Sequence, residues 1–418
     1  MLKAFFRSAS LRTAAAMGVG GVGFSLGSLL LARLLPTEEY GLVSLFLGIV
    51  AVAGLTAPLG LDQVVARRGI SLDARWRRAA LGACVLTALA AAALAALVYH
   101  LSLALVADVA LGTLALGVAQ SAGGHFQGQQ RLRAAVWVVQ LLNGALALVA
   151  ILDVGFGLAT ASEVCLLIAA AAVFGAIAIW SLVRHQQGVG ERPQPWGVRR
   201  EAMSLLTVQA CSAGFMQLER LLLGPIVGLH ELAVYSVLAA LVSSPFRLLQ
   251  AAVQFTLIPT LRVSGDARAR RAKVVREAAL VFVTVAAGSV AIWLLAPPLA
   301  RWLTAGRYAL SHALIAATLV SGFLKVLSGF TTAVVVSCGE ERRLRILSFG
   351  CWGSIGISVA GAFLTGPWGL VAVLYGISAG WLVRILFTGW LALPFLRQTR
   401  EGESRPRPEV NLRPSSSR

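Results

Sequence analysis

Apolar residues in this chain come in long unbroken stretches, with no alternation of apolar and polar positions. A barrel strand alternates over about 10 residues, whereas a run such as ALVFVTVAAGSVAIWLLAPPLA (279–300) stays apolar throughout. Such a run is long enough for a helix to cross a bilayer, which takes about 20 residues. Breaks at charged or Pro/Gly-marked positions predict twelve spans: 13–33, 41–61, 79–99, 107–126, 135–155, 162–183, 202–226, 232–260, 278–300, 310–336, 346–365 and 368–396.

The connections between these runs alternate in charge. One set carries most of the 36 Lys and Arg: Lys3, Arg7 and Arg12, then Arg67, Arg68, Arg75, Arg77 and Arg78, then Arg131 and Arg133, then Arg184 to Arg200. The same set continues with Arg262 to Arg276, Arg342, Arg343 and Arg345, and the tail from Arg397. The other set carries Glu38, Glu39, Asp153, Glu163 and Glu231, with Arg301 and Arg307 as its cations. Arginine-rich connections stay cytoplasmic, so both termini are expected there, and an even number of spans gives the same answer.

Composition then narrows the class. Hydrophobic residues make up 58% and charged residues 13%, with a mean hydropathy of +0.80. A soluble domain carries about 25% charge, so a water-soluble enzyme is excluded and an all-α polytopic membrane protein is expected. The net charge of +18 would suggest nucleic acid in a soluble protein. Here it is topological, and membrane lipids rather than nucleic acid are the expected surroundings. The five cysteines have no CxxC spacing and read as packing residues, not as a metal cluster or disulfide framework. The N-terminal run is too long for a cleavable leader and reads as a retained first span.

The stretch 184–201 (RHQQGVGERPQPWGVRRE) divides the runs into two groups of six. The expected organisation is a lobe over 1–183, a cytoplasmic linker over 184–201, a second lobe over 202–397 and a disordered tail over 398–418. Glu39-Tyr40-Gly41-Leu42-Val43-Ser44 at the second run is echoed by Glu231-Leu232-Ala233-Val234-Tyr235-Ser236 at the eighth. Two six-helix halves of the same sense are parallel repeats, an arrangement in which transporters place their path between the lobes.

Charges inside the runs supply the candidate chemistry. Arg33, Arg220, Arg247, Lys325 and Arg384 lie within or at the ends of spans, opposed by one deep acid, Glu219, with Asp62 at a span end. At 1.5 Å per residue, Arg247, Lys325 and Arg384 sit about 20–25 Å from the far ends of their spans. A central cation costs about 2.5–3.5 kcal/mol on insertion scales, so these groups should face the bundle interior or a wet cavity. Arg33 could instead reach the headgroups. Glu219 and Arg220 are adjacent and point about 100° apart, so Glu219 is expected to pair with Arg247. The remaining positive charge calls for an anionic substrate. Gln209, Gln217, Gln250 and Gln254 share the spans of Glu219 and Arg247 and could line a wall suited to sugar hydroxyls, or simply bond between helices. Gly23/Gly27 and Gly376/Gly380 have GxxxG spacing and predict close helix packing, and Pro245 and Pro259 predict a bent eighth span. No nucleophile elbow, HExxH or Walker pattern occurs and the five histidines are scattered, so neither catalysis, a metal nor a cofactor is expected.

The stretches LARLLPTEEYGLVSLFLGIVAVAGLTAPLGLDQVVARR (31–68) and QLERLLLGPIVGLHELAVYSVLAAL (217–241) resemble the polysaccharide transporter family, the Wzx-type O-antigen flippases of the MOP exporter superfamily. FQGQQRLRAAVW (126–137), TAGRYALSHALI (304–315) and GPWGLVAVLYGISAGWL (366–382) are similar to the same family. The resemblance implies two six-helix lobes around a central cavity. It also implies flipping of an undecaprenyl-pyrophosphate-linked oligosaccharide across the bacterial inner membrane by alternating access. Polysaccharide polymerases or glycosyltransferases would be the partners. The family commonly has Asp where this chain has Glu219, a carboxylate that could couple flipping to H⁺ or Na⁺. The Gly before the second-half Tyr is displaced by Ala233-Val234. Alternatives are another MOP-type transporter, for a peptidoglycan lipid precursor or a drug/cation antiport, and a polytopic glycan polymerase or ligase.

Overall fold

The computed structural model describes residues 9–69, 72–129, 131–184, 195–263, 267–338 and 341–397, and the regular structure among them is helical throughout. The first half contains α1 (Ala9–Leu34), α2 (Thr37–Thr56), α3 (Leu61–Arg68), α4 (Ala74–Leu97), α5 (Leu103–Gly128), α6 (Leu132–Val139), α7 (Leu141–Phe156) and α8 (Ala161–Arg184). The second half contains α9 (Pro195–Val227), α10 (Leu229–Leu238), α11 (Ser244–Val263), α12 (Ala267–Leu303), α13 (His312–Cys338), α14 (Glu341–Thr365) and α15 (Leu370–Arg397).

Each of the twelve expected spans falls on one of these helices or on a broken set of them. Among the described residues, nine helices are long and apolar enough to cross a membrane, or ten if the bent pair α6–α7 is one span. Helix α9 is not among the nine, and its stretch over 202–226 carries Gln209, Gln217, Glu219 and Arg220 among the apolar residues. The proposed linker falls largely on residues 185–194, and the proposed tail on 398–418, both outside the described residues. Helix α9 already begins at Pro195.

Three runs are interrupted, each for a local reason. The expected span 41–61 stops at Thr56: Pro58 cannot donate, Leu59 has φ 51° and Gly60 has φ 77°. A Cβ at Gly60 would strike the Ala202 carbonyl of α9, so the close approach there requires glycine. Asp62 therefore does not end a span but opens the separate short helix α3. The expected span 135–155 bends by 54° between α6 and α7. Where a bend is expected before Pro245, the helix carries a π-turn over Ala239–Ser243 that makes room for the proline ring, and Leu229–Gln250 still runs as one span. The helix runs on through Pro259 to Val263, so that second proline does not end it.

Capping follows the sequence chemistry. The Asp73 carboxylate accepts from the Arg75 and Trp76 amides at 2.9 Å and closes the open end of α4, and Glu38 and Glu39 sit in the first turn of α2. The glycine pairs act by letting backbones approach. A Cβ at Gly27 would lie 3.1 Å from the Ala147 Cα, and one at Gly376 would lie 2.5 Å from the Gly361 carbonyl. Helix α12 is peripheral, with 6% of its span buried, against 61% for α2 and for α13.

Helices α1–α8 pack on one another, as do α9–α15, and a seam of α1–α3 against α9–α11 joins the two lobes. On this seam the Ser44 hydroxyl meets the Ser236 hydroxyl, its counterpart 192 residues on. The two members of the sequence echo thus lie against each other where the halves meet. Nearby, on the acid-bearing side, Arg307 donates to the Leu34 and Leu35 carbonyls at 3.4 and 2.7 Å, satisfying the open end of α1 from the other lobe. Tyr308 meets Tyr40 edge-on, with ring centroids 6.3 Å apart.

Candidate functional site: a cation cluster in the second lobe

Helix α9 brings Phe215, Gln217, Glu219 and Arg220 into the bundle, where α11 adds Arg247, α13 adds Ser321 and Lys325, and α15 adds Trp381 and Arg384. Glu219 and Lys325 are each 1% exposed and form an ion pair. Ser321 Oγ donates to the same Glu219 oxygen at 3.4 Å. The expected Glu219–Arg247 pairing is therefore replaced: Arg247 donates to the Met216 carbonyl at 3.3 Å, and the acid belongs to Lys325. A compact ammonium fits beside a single carboxylate oxygen in a dry interior, whereas a guanidinium has five donors to satisfy.

The guanidinium groups rest on rings. Arg220 lies 4.9 Å above Phe24 of the first lobe. Arg384 lies 5.2 Å from the Phe215 ring and 5.4 Å from Trp381, whose rings are themselves 4.0 Å apart between centroids. Lys325 approaches the same Trp381 at 5.7 Å. Desolvated cation–π contacts are worth about 2 kcal/mol and hold a guanidinium by its face while leaving its donor edge open. Arg220 lies within electrostatic reach of Arg247 and Glu219, and Lys325 within reach of Arg247, Arg220 and Glu219, so these groups share one field. Arg220 also donates to Gln217 Oε1 at 3.4 Å, and a side chain at Gly48 of α2 would press on its Cβ.

This cluster is short of acceptors. Arg220 Nε, Arg247 Nε, Arg384 Nε and Trp381 Nε1 are buried donors without partners, against two buried acceptors without donors, Glu219 Oε2 and Gln250 Oε1. Among the described residues, Glu219 is the acid that ion-pairs within the cluster, and it is taken by Lys325. Buried donors of this kind call for an anion with several oxygens.

Of the residues singled out in the sequence, Arg220, Arg247, Lys325, Arg384 and Glu219 come together. Arg33 does not: it is exposed in the last turn of α1. Gln217 joins through Arg220, whereas Gln209 bonds across the seam to the Leu55 carbonyl at 2.8 Å. Gln250 packs against Gly329, where a Cβ would lie 3.2 Å from its Cγ. The side chain of Gln254 lies outside the described residues. Sequence reasoning missed Phe215 and Trp381. Their only signal was a large aromatic residue placed three or four positions from a deep charge.

With this arrangement in view, the family follows. The family model described as "Polysaccharide biosynthesis protein" matches residues 13–264. The chain belongs to that family. No curated protein matches it. Its fold is shared with solved transporters of low identity. One is a structure described as the lipid II flippase MurJ in an inward closed conformation, with TM-score 0.66, 10% identity, and coverage of 92% of this chain and 91% of that one. Another is an inward-facing multidrug resistance MATE family transporter of the MOP superfamily, with TM-score 0.62, 17% identity, and coverage of 90% and 94%. A third is a MOP superfamily transporter from Pyrococcus furiosus, with TM-score 0.58, 18% identity, and coverage of 94% and 98%. The chain is thus a multi-pass membrane protein of the polysaccharide biosynthesis family with the fold of MOP-superfamily transporters.

Proposed function

We propose that this chain flips a lipid-linked oligosaccharide, carried on a diphosphate such as that of undecaprenyl pyrophosphate, between the leaflets of a bacterial cytoplasmic membrane by alternating access. One observation carries the reading: Arg220, Arg247 and Arg384 bring charge into the bundle beyond what Glu219 can neutralise. A diphosphate has no low-cost place in a lipid-walled path unless fixed cations replace its hydration. The sugars would follow through the gap between the lobes while the polyprenyl tail stays in lipid. The arginine-rich ends then face the cytoplasm with both termini. A cationic-drug exporter needs acids in its path, and this cluster offers donors instead.

In this reading Lys325 is released by Glu219 to the incoming diphosphate, and the freed carboxylate takes up a proton or sodium ion. Polymerases or glycosyltransferases of the same glycan are the fitting partners. The test is delivery of glycan to the cell surface by a strain that depends on this chain. Arg247→Ala with Arg384→Ala should insert normally and fail to deliver, and Arg384→Lys should retain part of the activity. Full delivery by the double variant overturns the reading.

A further inference from the structure

A second polar corner lies on the arginine-rich side of the seam, where α3 meets α9. Asp62 in the first turn of α3 is 3% exposed. Its Oδ2 accepts from Gln63 Nε2 at 3.1 Å and, across the seam, from Gln209 Nε2 at 3.5 Å. Gln209 is anchored by the same nitrogen on the Leu55 carbonyl. Asp62 Oδ1 and Gln209 Oε1 are both buried without a donor. Gly124 of α5 closes the other side, where a Cβ would lie 3.0 Å from the Asp62 Cα.

The charged and titratable groups around this corner come from four elements. On α3 itself, Arg67 and Arg68 form ion pairs with Glu201 of α9 at 3.4 and 2.5 Å and are thereby engaged elsewhere. Helix α4 contributes Cys84, within electrostatic reach, and α5 contributes the buried His125, whose Nε2 lies 2.9 Å from Gln129 Nε2. Among the described residues no cation pairs with the Asp62 carboxylate. The corner is a set of acceptors with too few donors, and a proton is the smallest thing that completes it.

We propose that Asp62 is a proton-binding site that fastens the two lobes on their arginine-rich side. Protonated, the carboxyl donates its O–H to Gln209 Oε1, and each side chain is satisfied by the other. The proton comes from water on that side and returns to it. Deprotonation leaves both acceptors without a donor beside a buried charge and loosens the seam. Burial pushes the Asp62 carboxyl above its ordinary value, against the smaller pull of the Gln63 and Gln209 hydrogen bonds. The site is separate from Glu219 and does not depend on what the cation cluster carries.

The experiment uses the full-length protein in lipid nanodiscs, with spin labels replacing Arg75 and Arg342, which are both exposed on the arginine-rich side. Distances are read between about pH 5 and about pH 8, well away from the ordinary carboxylate value of about 4. The expected result is a distance that shortens on acidification in the otherwise unaltered protein. Asp62→Asn should hold the short distance at every pH, because its amide is neutral and donates as the protonated acid does. Gln209→Leu should hold the long distance at every pH, and it decides the matter if Asp62→Asn does not yield folded protein. An unchanged pH response in either variant would overturn the proposal in favour of His125 or Glu201. A distance that follows sodium at constant pH would overturn it in favour of a metal cation.

Discussion

The Glu219 corner and the Asp62 corner each bury a carboxylate, and they lack opposite things. Around Glu219, unpartnered donors outnumber acceptors, and the acid has a lysine. Around Asp62 the unpartnered atoms are acceptors, and the nearby arginines are held by Glu201. The same functional group is therefore given an ion-pair partner in one place and left without one in the other. Burial raises the Asp62 carboxyl, and what sets the two corners apart is the partner that Glu219 has and Asp62 lacks.

The comparison breaks most visibly at Lys325. Lys325→Met leaves Glu219 buried and unpaired, a loss of about 3–5 kcal/mol in stability. Pairing it with Glu219→Gln removes the stranded charge and should restore most of that loss. Denaturant unfolding in detergent measures both, and equal destabilisation of the single and double variants would show that the ion pair is not what holds α9 to α13.

A smaller effect on stability and a larger one on transport is expected at two arginines of the cluster. If the cluster holds the proposed diphosphate, Arg247→Ala and Arg384→Ala should each remove charge-assisted hydrogen bonds to it, worth about 1.5–3 kcal/mol, or roughly tenfold or more in glycan delivery. Arg33→Ala is the control: the residue is exposed at a helix end, and delivery should not change.

Asp62→Asn should alter stability by about 1 kcal/mol, with a pH dependence of definite sign. The folded carboxyl is raised above its unfolded value, so its contribution is fully present below about pH 4 and fades as pH rises through the folded value. The variant should therefore match the parent in acid and exceed it at neutral pH. The opposite crossing in a thermal scan would mean that Asp62 is held as an anion.

How much of this was legible beforehand differs between the corners. The apolar runs fix the helices, because a span's length and composition are properties of a single segment. The depth of Arg247, Lys325 and Arg384 follows from counting along those segments. The partner of Glu219 does not: Lys325 is 106 residues away, and which of several deep cations it meets depends on how α9, α11 and α13 rotate about their axes. The place of Phe215 and Trp381 beside Arg384 is not legible in the sequence for the same reason. Asp62 was hidden differently. The run GLTAPLGL (54–61) stays apolar through the break, so hydropathy carries the span past Thr56, and only Pro58 and Gly60 signal the turn that puts Asp62 on its own short helix.

The smallest effect is expected at Glu201, which sits at the edge of the Asp62 corner. Its partners Arg67 and Arg68 keep 71% and 40% of their side-chain surface exposed, so solvent screens both pairs. Exposed ion pairs are worth about 0–1 kcal/mol, and Glu201→Gln should fall within that range in thermal unfolding. Its use lies in the comparison. Freed from Glu201, the two arginines could swing toward Asp62 and supply the cation that the corner lacks. The carboxyl would then have an ion-pair partner, as Glu219 has in Lys325, and would give up its pH-dependent hold on Gln209. A Glu201→Gln protein that keeps the pH response of its parent would show that the corner is closed to the arginines by packing. One that loses it would show that a single surface carboxylate keeps the two corners different.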